Sequence, residues 1–342
     1  MIVPTTILIN KKIIKKEGKK MKKELSYLEL IKMIDETKKY FEKQLEVRLS
    51  LTKVQSPLFV KSSSGLQDAL SGVEESVSFI KDKERFEVVH SLAKWKRDAL
   101  YRYSFPLHTG LYTDMKAIRK DEIVDELHSL YVEQWDWEKV IDKDDRTIDY
   151  LKDTVKSIYK AIRQTLIYLK TKYKYITLSL PKSIYFITSQ ELEDMYPDIT
   201  PKEREHLIVK EKKAVFIIGI GDKLKSGIPH DLRSPDYDDW ALDGDLLIYS
   251  PIIDSEIEIS SMGIRVDEES LVEQLKKSDC MDRLELPYHQ SIIKKILPYT
   301  IGGGIGQSRI LLLLLEQSHI AEIQASSWTD KTLESLKDIK IL

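Results

Sequence analysis

A chain of 342 residues with 42% hydrophobic content can bury a sizeable core, as one large domain or two small ones. Its 54 basic and 56 acidic side chains leave a net charge of −2, which excludes long-range attraction as a reason to bind nucleic acid or an anionic membrane. The single cysteine, Cys280, excludes an internal disulfide and a cysteine-built metal cluster and fits the cytoplasm, and the longest apolar run, residues 310–315, is far too short to span a bilayer.

Residues 1–24 form a basic extension, with Lys at 11, 12, 15, 16, 19, 20, 22 and 23 against Glu17 and, at its very end, Glu24. It lacks the arginines and serines of a transit peptide and the small-residue cleavage site of a secretory signal, so the expectation is a flexible, solvated tail, with Met21 a candidate start of translation. From there Leu30, Ile34, Phe41, Leu45 and Leu49 recur at helical spacing and predict an amphipathic helix. Residues 51–60 follow as an extended run in which Pro57, lacking an amide donor, suits a strand end or edge. Further strands are predicted at 86–90, 127–135, 183–188, 214–220, 246–250 and 256–260, and helices at 149–173 and 270–277. Alternation over 256–260 puts Glu256, Glu258 and Ser260 on one face and Ile257 and Ile259 on the other, as in an antiparallel sheet with one face turned to a pocket. After residue 25 there is no repeat, low-complexity block or linker, so residues 25–342 read as one catalytic domain.

Three motifs bear on chemistry. Gly219 and Gly221 close a strand, but a dinucleotide fingerprint would need its third glycine at Leu224, so a glycine turn explains them better. His90 and Ser91 are adjacent on a predicted strand and would point to opposite faces, which argues against a hydrolase pair. Gly302, Gly304 and Gly306 stand at every second position before Arg309 and an apolar helix. They offer a strand edge or turn that a flat or charged ligand can approach, beside a guanidinium able to stack on a base or grip phosphate. Asp236, Asp238 and Asp239 crowd together and require cations to answer them unless they form a solvated turn.

Residues 302–309 match the third signature motif of the class II aminoacyl-tRNA synthetase fold. Their spelling more narrowly resembles the ammonia-dependent asparagine synthetase family, aspartate–ammonia ligases built on that fold. Residues 86–97, 110–113, 134–138, 235–240 and 260–267 resemble the same family, in its order, from about residue 25 to 328. The resemblance implies an α+β catalytic core, an antiparallel sheet flanked by helices. In that fold the helix, strand and Pro57 form the first motif, which carries a homodimer interface. The implied activity is synthesis of asparagine from aspartate and ammonia through β-aspartyl-AMP, with ATP cleaved to AMP and pyrophosphate and neither nucleic acid nor membrane as partner.

The same resemblance distributes the roles. Arg119 clamps the α-phosphate, where positive charge must offset the approach of two anions. Arg309 caps the adenine or reaches the distal phosphates, with Gly302, Gly304 and Gly306 beside the nucleotide. For the amino-acid pocket the division is our own inference: Asp136 and Asp238 can take the α-ammonium of aspartate and Lys96 and Arg265 its carboxylate, with Ser261 adding a hydrogen bond. Asp68 accepts a proton from ammonium or anchors it, and Gln134 orients the nucleophile. Mg2+ prefers oxygen ligands, and Asp245 and Glu258 are its candidates, although the segment 241–243 before Gly244 is shorter than the family's loop. Two other readings stand beside this one: an aspartyl- or asparaginyl-tRNA synthetase relative without an anticodon-binding domain, and an adenylate-binding scaffold without activity.

Overall fold

The structure, a computed structural model, describes residues 25–70 and 74–342; the predicted tail with Met21 lies outside them. Helix α1 (Tyr27–Leu49) starts at Ser26, whose hydroxyl and the Glu29 carboxylate form a reciprocal capping box. It buries Leu30, Met33, Phe41, Leu45 and Leu49 along one stripe and ends where Ser50 turns left-handed at φ 60°.

The predicted run 51–60 divides into β1 (Leu51–Lys53) and β2 (Phe59–Lys61), with Pro57 in the connection. After β3 (Ser78–Lys81) and β4 (Glu84–Val88) the chain leaves the sheet, so His90 and Ser91 lie in the turn before α2 (Ala93–Arg102) rather than on a strand. A strand absent from the sequence prediction, β5 (Gly110–Ile118), precedes β6 (Tyr131–Val140), which lies four to five residues further on than the predicted 127–135. Then come α3 (Ile148–Lys172), β7 (Tyr185–Thr188), α4 (Ser189–Met195), α5 (Pro201–Lys212), β8 (Ala214–Ile218), β9 (Asp238–Ser250), β10 (Ser255–Arg265), α6 (Glu268–Lys277), α7 (Pro287–Ile293), β11 (Thr300–Gly306) and α8 (Gln307–Leu314). Strand β8 ends in the expected glycine turn, with Gly219 at φ +82° and Gly221 at φ +116°.

Among the described residues the strands form an eight-stranded sheet in the order β1-β5-β6-β11-β10-β9-β8-β7 and a small sheet, β2-β4-β3. The six inner strands of the large sheet are antiparallel, and β1 and β7 join its two edges in parallel. The glycine strand β11 is therefore central, paired on both sides, and not the edge expected from its glycines. One face of the sheet packs Trp135, Trp137, Met262, Ile264, Ile301 and Ile305 against α1, α3 and α8. Each such fully buried side chain contributes about 1.5–3 kcal/mol, so this layer holds the strands in register. Because strand side chains alternate, the same register turns Gln134, Asp136 and Glu138 of β6 to the opposite face, beside α2. Strand β10 does not keep the simple alternation predicted for it. A bulge between Glu258 and Ser260 resets the phase, so that Ile257, Ile259, Met262 and Ile264 all reach the core while Ser261 and Arg265 join Glu258 on the cavity wall. Among the described residues no helix is long and apolar enough to cross a membrane.

Candidate active site

The polar face of the sheet floors a cavity of about 640 Å³. Its wall takes in Asp68, Lys96, Arg119, Gln134, Asp136, Asp238, Glu258, Ser261, Arg265, Gly304, Gly306 and Arg309, which come from nearly the whole length of the chain. Two of the predicted residues stand off this wall. Asp245 lies behind Arg233, and Gly302 lies beneath an ion pair.

Helix α2 supplies the first half. Its N-cap residue, Leu92, brings no capping side chain, and Asp136 reaches over from β6 to accept from the Leu92 amide at 3.1 Å. The other Asp136 oxygen accepts from Lys96, whose ammonium also donates to the Gly303 carbonyl at 3.2 Å. Burial pushes the Lys96 ammonium below its usual range, against the pull of Asp136 and Glu138. On β10 Arg265 donates to Glu138 from both Nε, at 2.9 Å, and Nη2, at 2.7 Å, and from Nη1 to Asp238. Burial raises the Asp238 carboxyl even so. For Glu138, whose burial also favours the neutral form, the Arg265 guanidinium prevails and holds the carboxyl low. The residues assigned to opposite ends of an amino acid, Lys96 with Asp136 and Arg265 with Asp238, thus bind one another, as buried opposite charges within reach must.

The glycines explain themselves by what lies above them. A Cβ at Gly302 would overlap the Glu138 carboxylate and approach Arg265 Nη2 to 2.6 Å; at Gly304 it would come within 2.8 Å of Gln134 Cδ. At these two positions the bare backbone makes room for protein side chains, and only Gly306, with the Arg309 stem 3.3 Å from its would-be Cβ, keeps the open approach expected of all three.

At the other end Arg309 donates to the Glu258 carbonyl at 2.9 Å and to His128 Nε2 at 3.0 Å, and its charge lies 3.5 Å from the Glu258 carboxylate. Burial would raise the Glu258 carboxyl, but Arg309, Lys202, Arg233 and Arg119 outweigh it and hold it low. Arg119 follows β5; its Nε is buried without a hydrogen-bond partner and its nearest carboxylate, Glu122, is 3.9 Å away, which leaves its fork available to an incoming anion. Asp68 is buried, accepting from Ser91 Oγ at 2.6 Å and from the Leu70 amide at 2.8 Å. Asp245 accepts from Arg233 at 2.6 Å and is pushed up to about 6 by burial, with Glu258 adding to the rise. Among the described residues no group of three or more His, Cys, Asp or Glu is arranged to hold a metal.

The acid crowd is buried, not a solvated turn, and each member has the cation the sequence required. Asp236 has Lys94 and Arg283, Asp238 has Arg265, and Asp239 has Arg146 at 2.7 Å. Sequence reasoning did not name Arg233, Glu138, Lys202 or His128. Glu138 carries a signal, since it continues the period of Gln134 and Asp136, but the predicted strand stopped at Trp135. Arg233 lies two residues before Pro235, where the demand for cations pointed. Lys202 and His128 have no local signal.

A central antiparallel sheet with arginines at the end of β5 and the start of α8 defines the class II aminoacyl-tRNA synthetase fold. The solved structures agree: asparaginyl-tRNA synthetase from Entamoeba histolytica in complex with asparaginyl-adenylate superposes with a TM-score of 0.62 at 17% identity, over 87% of this chain and 66% of that one. The enzyme from Pyrococcus horikoshii complexed with asparaginyl-adenylate gives 0.62 at 14% identity, over 85% and 66%. At such identity the likeness concerns the fold, and this chain spans 66% of those synthetases' length.

The aspartate–ammonia ligase family matches residues 28–340. An aspartate–ammonia ligase from Clostridium perfringens is 56% identical over 320 residues, 93% of this chain and 95% of its own. One from Fusobacterium nucleatum is 54% identical over 318 residues, 93% and 97%. The chain belongs to the aspartate–ammonia ligase family.

Proposed function

We propose that this ligase joins ammonia to the side-chain carboxyl of aspartate, using ATP and releasing asparagine, AMP and pyrophosphate. The reading rests on one observation above all. In a chain more than half identical to aspartate–ammonia ligases, two buried ion pairs suited to a zwitterion share a cavity with an arginine whose Nε has no partner. The α-ammonium of aspartate goes to Asp136 and Asp238 and the α-carboxylate to Lys96 and Arg265, so that each protein ion exchanges one opposite charge for another. Ser261 adds its hydroxyl. The β-carboxylate is left facing the nucleotide, held by Arg309 and the open backbone at Gly306.

A β-carboxylate oxygen attacks the α-phosphorus, the bond to the bridging oxygen breaks, and pyrophosphate leaves. Arg119 stabilises the charge that develops on the α-phosphate. Ammonia then attacks the β-carbonyl carbon, the acyl–phosphate bond breaks, and AMP departs; Asp68 takes the surplus proton while Gln134, lying over Gly304, orients the nucleophile. Mg2+ belongs to this reading, with Glu258 and Asp245 as its carboxylates, because the Glu258 charge adds to the rise of Asp245 and a cation would relieve it. When bound it would draw charge from the triphosphate.

Residues 25–342 act as one catalytic unit in this proposal, since the large sheet runs from β1 to β11. A homodimer in the cytoplasm is proposed with it, supported by the exposed Leu28, Ile31 and Val47 on α1. Pyrophosphate release with aspartate, measured with ammonium, without it and with tRNA instead, tests the activity. Release that required tRNA and ignored ammonium would favour the synthetase-relative reading, and formation of ADP with orthophosphate would exclude an adenylate.

A further inference from the structure

Behind the cavity Asp236 gathers four donors. Its Oδ2 accepts from Lys94 Nζ at 2.7 Å, His289 Nε2 at 3.0 Å and Arg283 Nη1 at 3.1 Å, and its Oδ1 accepts from Ser234 Oγ at 2.8 Å. Burial alone would raise this carboxyl, but the surrounding cations and the imidazole outweigh it and hold the group far below the carboxylate range. Of these donors only Ser234 reaches the cavity wall. Yet Lys94 stands two residues before Lys96 on α2, and Asp236 two before Asp238, so the knot fixes both walls of the amino-acid pocket from the rear.

His289, fully buried on α7, has a second neighbour. Since its Nε2 donates to Asp236, a neutral ring leaves Nδ1 as a bare acceptor, and Nδ1 is buried without a hydrogen-bond partner. Burial lowers the ring's pKa, which favours that neutral form. The ring lies against Gly65, where a Cβ would sit 3.3 Å from Nδ1 and 2.9 Å from Leu286 Cβ, and where φ is +76°. Gly65 ends the turn Ser62–Ser64, on which α7 packs, and begins the loop to Asp68; Leu66 of that loop is packed into the apolar cluster of Tyr288 and Ile292. The loop contributing Asp68 and the loop that leads into Asp238 at the start of β9, the Asp238 loop, are far apart in sequence and both rest on this one imidazole.

We propose that His289 is a positioning residue that locks the Asp68 loop to the Asp238 loop, through Gly65 on one side and Asp236 on the other. The spacing between the group that handles ammonia and the group that seats aspartate is then set by α7. This rests on the functional reading above. Arg119 and Arg309 hang on β5 and α8 and do not share the tie, and of the cavity's nucleotide-side cations only Arg233 lies in the tied segment, so ATP is expected to feel the change least.

The test is steady-state kinetics with each of the three substrates varied in turn. His289→Leu should raise KM for aspartate and for ammonium by about 10-fold or more, since misplacement by about 1 Å is costly, while KM for ATP stays within about threefold. His289→Gln, whose amide N–H can reach Asp236, should bring KM for aspartate back to within about threefold of wild type. Gly65→Ala pushes from the other side and should raise both constants through the imidazole, and with His289→Gln it carries the test if His289→Leu does not fold. A fall in kcat with all three KM values unchanged, equal effects on all three substrates, or Gly65→Ala disturbing ammonium alone would overturn the proposal. Wild-type protein without ammonia-dependent asparagine formation would overturn the functional reading and this proposal together.

Discussion

Glu138 on β6 and Arg265 on β10 meet above β11, the strand between them, with Nη2 to Oε2 at 2.7 Å and Gly302 directly beneath. The glycine is what permits this contact. Gly302→Ala should therefore separate the pair and leave Glu138 facing Lys96 and Thr300 only. Breaking a buried pair costs about 3–5 kcal/mol, so urea denaturation should show a loss of that order. Binding of aspartate, followed by calorimetry, should weaken well beyond that of ATP.

Arg119 is argued to act on charge that appears only in the transition state. Arg119→Ala should lower aspartate-dependent ATP–pyrophosphate exchange by about 10²–10³-fold, the loss typical of one such donor, with little change in aspartate affinity. Arg119→Lys should recover only part, because an ammonium cannot present the planar fork. Full recovery by lysine would show that charge alone suffices.

Asp68 is assigned to the ammonia step and not to adenylate formation. Asp68→Asn should leave pyrophosphate exchange near wild type while asparagine formation falls by about 10²–10⁴-fold. Equal losses in the two assays would place Asp68 in the first half-reaction.

Asp245 gives a pH dependence with a definite sign. Burial takes its carboxyl from the ordinary value of about 3.9 to about 6. Between those values the folded protein holds more proton at this site than the unfolded chain, so the contribution of Asp245 to stability is present below about pH 4 and is lost as pH rises through about 6. Asp245→Asn removes that part of the slope, and stability measured by denaturant at pH 4 and pH 7 should differ less in the variant, by about 1–3 kcal/mol. Use of ATP should suffer more than aspartate binding, because Asp245 holds Arg233 at 2.6 Å on the cavity wall.

Glu258→Gln removes a proposed Mg2+ carboxylate while keeping its shape. Paramagnetic Mn2+ titrated in the presence of a non-hydrolysable ATP analogue should bind about 10- to 100-fold more weakly to the variant. Unchanged Mn2+ binding would leave Glu258 as a partner of Arg309 alone.

Much of the site could be read along the chain because its residue types are tied to local patterns. The alternate glycines of β11 are one example, and the acids at 236, 238 and 239 with their need for cations are another. The helical stripe of α1 and the strand after it were legible for the same reason, since burial on one face imposes a period on the sequence. Strand β5 was missed because four of its first five residues are buried on both faces and show no period.

Pairing across distance was decided by the tertiary structure alone. No local pattern says that Lys96 meets Asp136 or Arg265 meets Glu138, since an ion pair depends on which strands become neighbours and at what register. The bulge at Glu258 turned Ser261 toward the cavity in place of simple alternation, and strand order brought β11 to the centre of the sheet, so that Gly302 and Gly304 serve side chains of other strands. Sequence carries residue type and period; distance and burial, which set the charge state of Asp245 and the reach of His289, exist only once the sheet has closed.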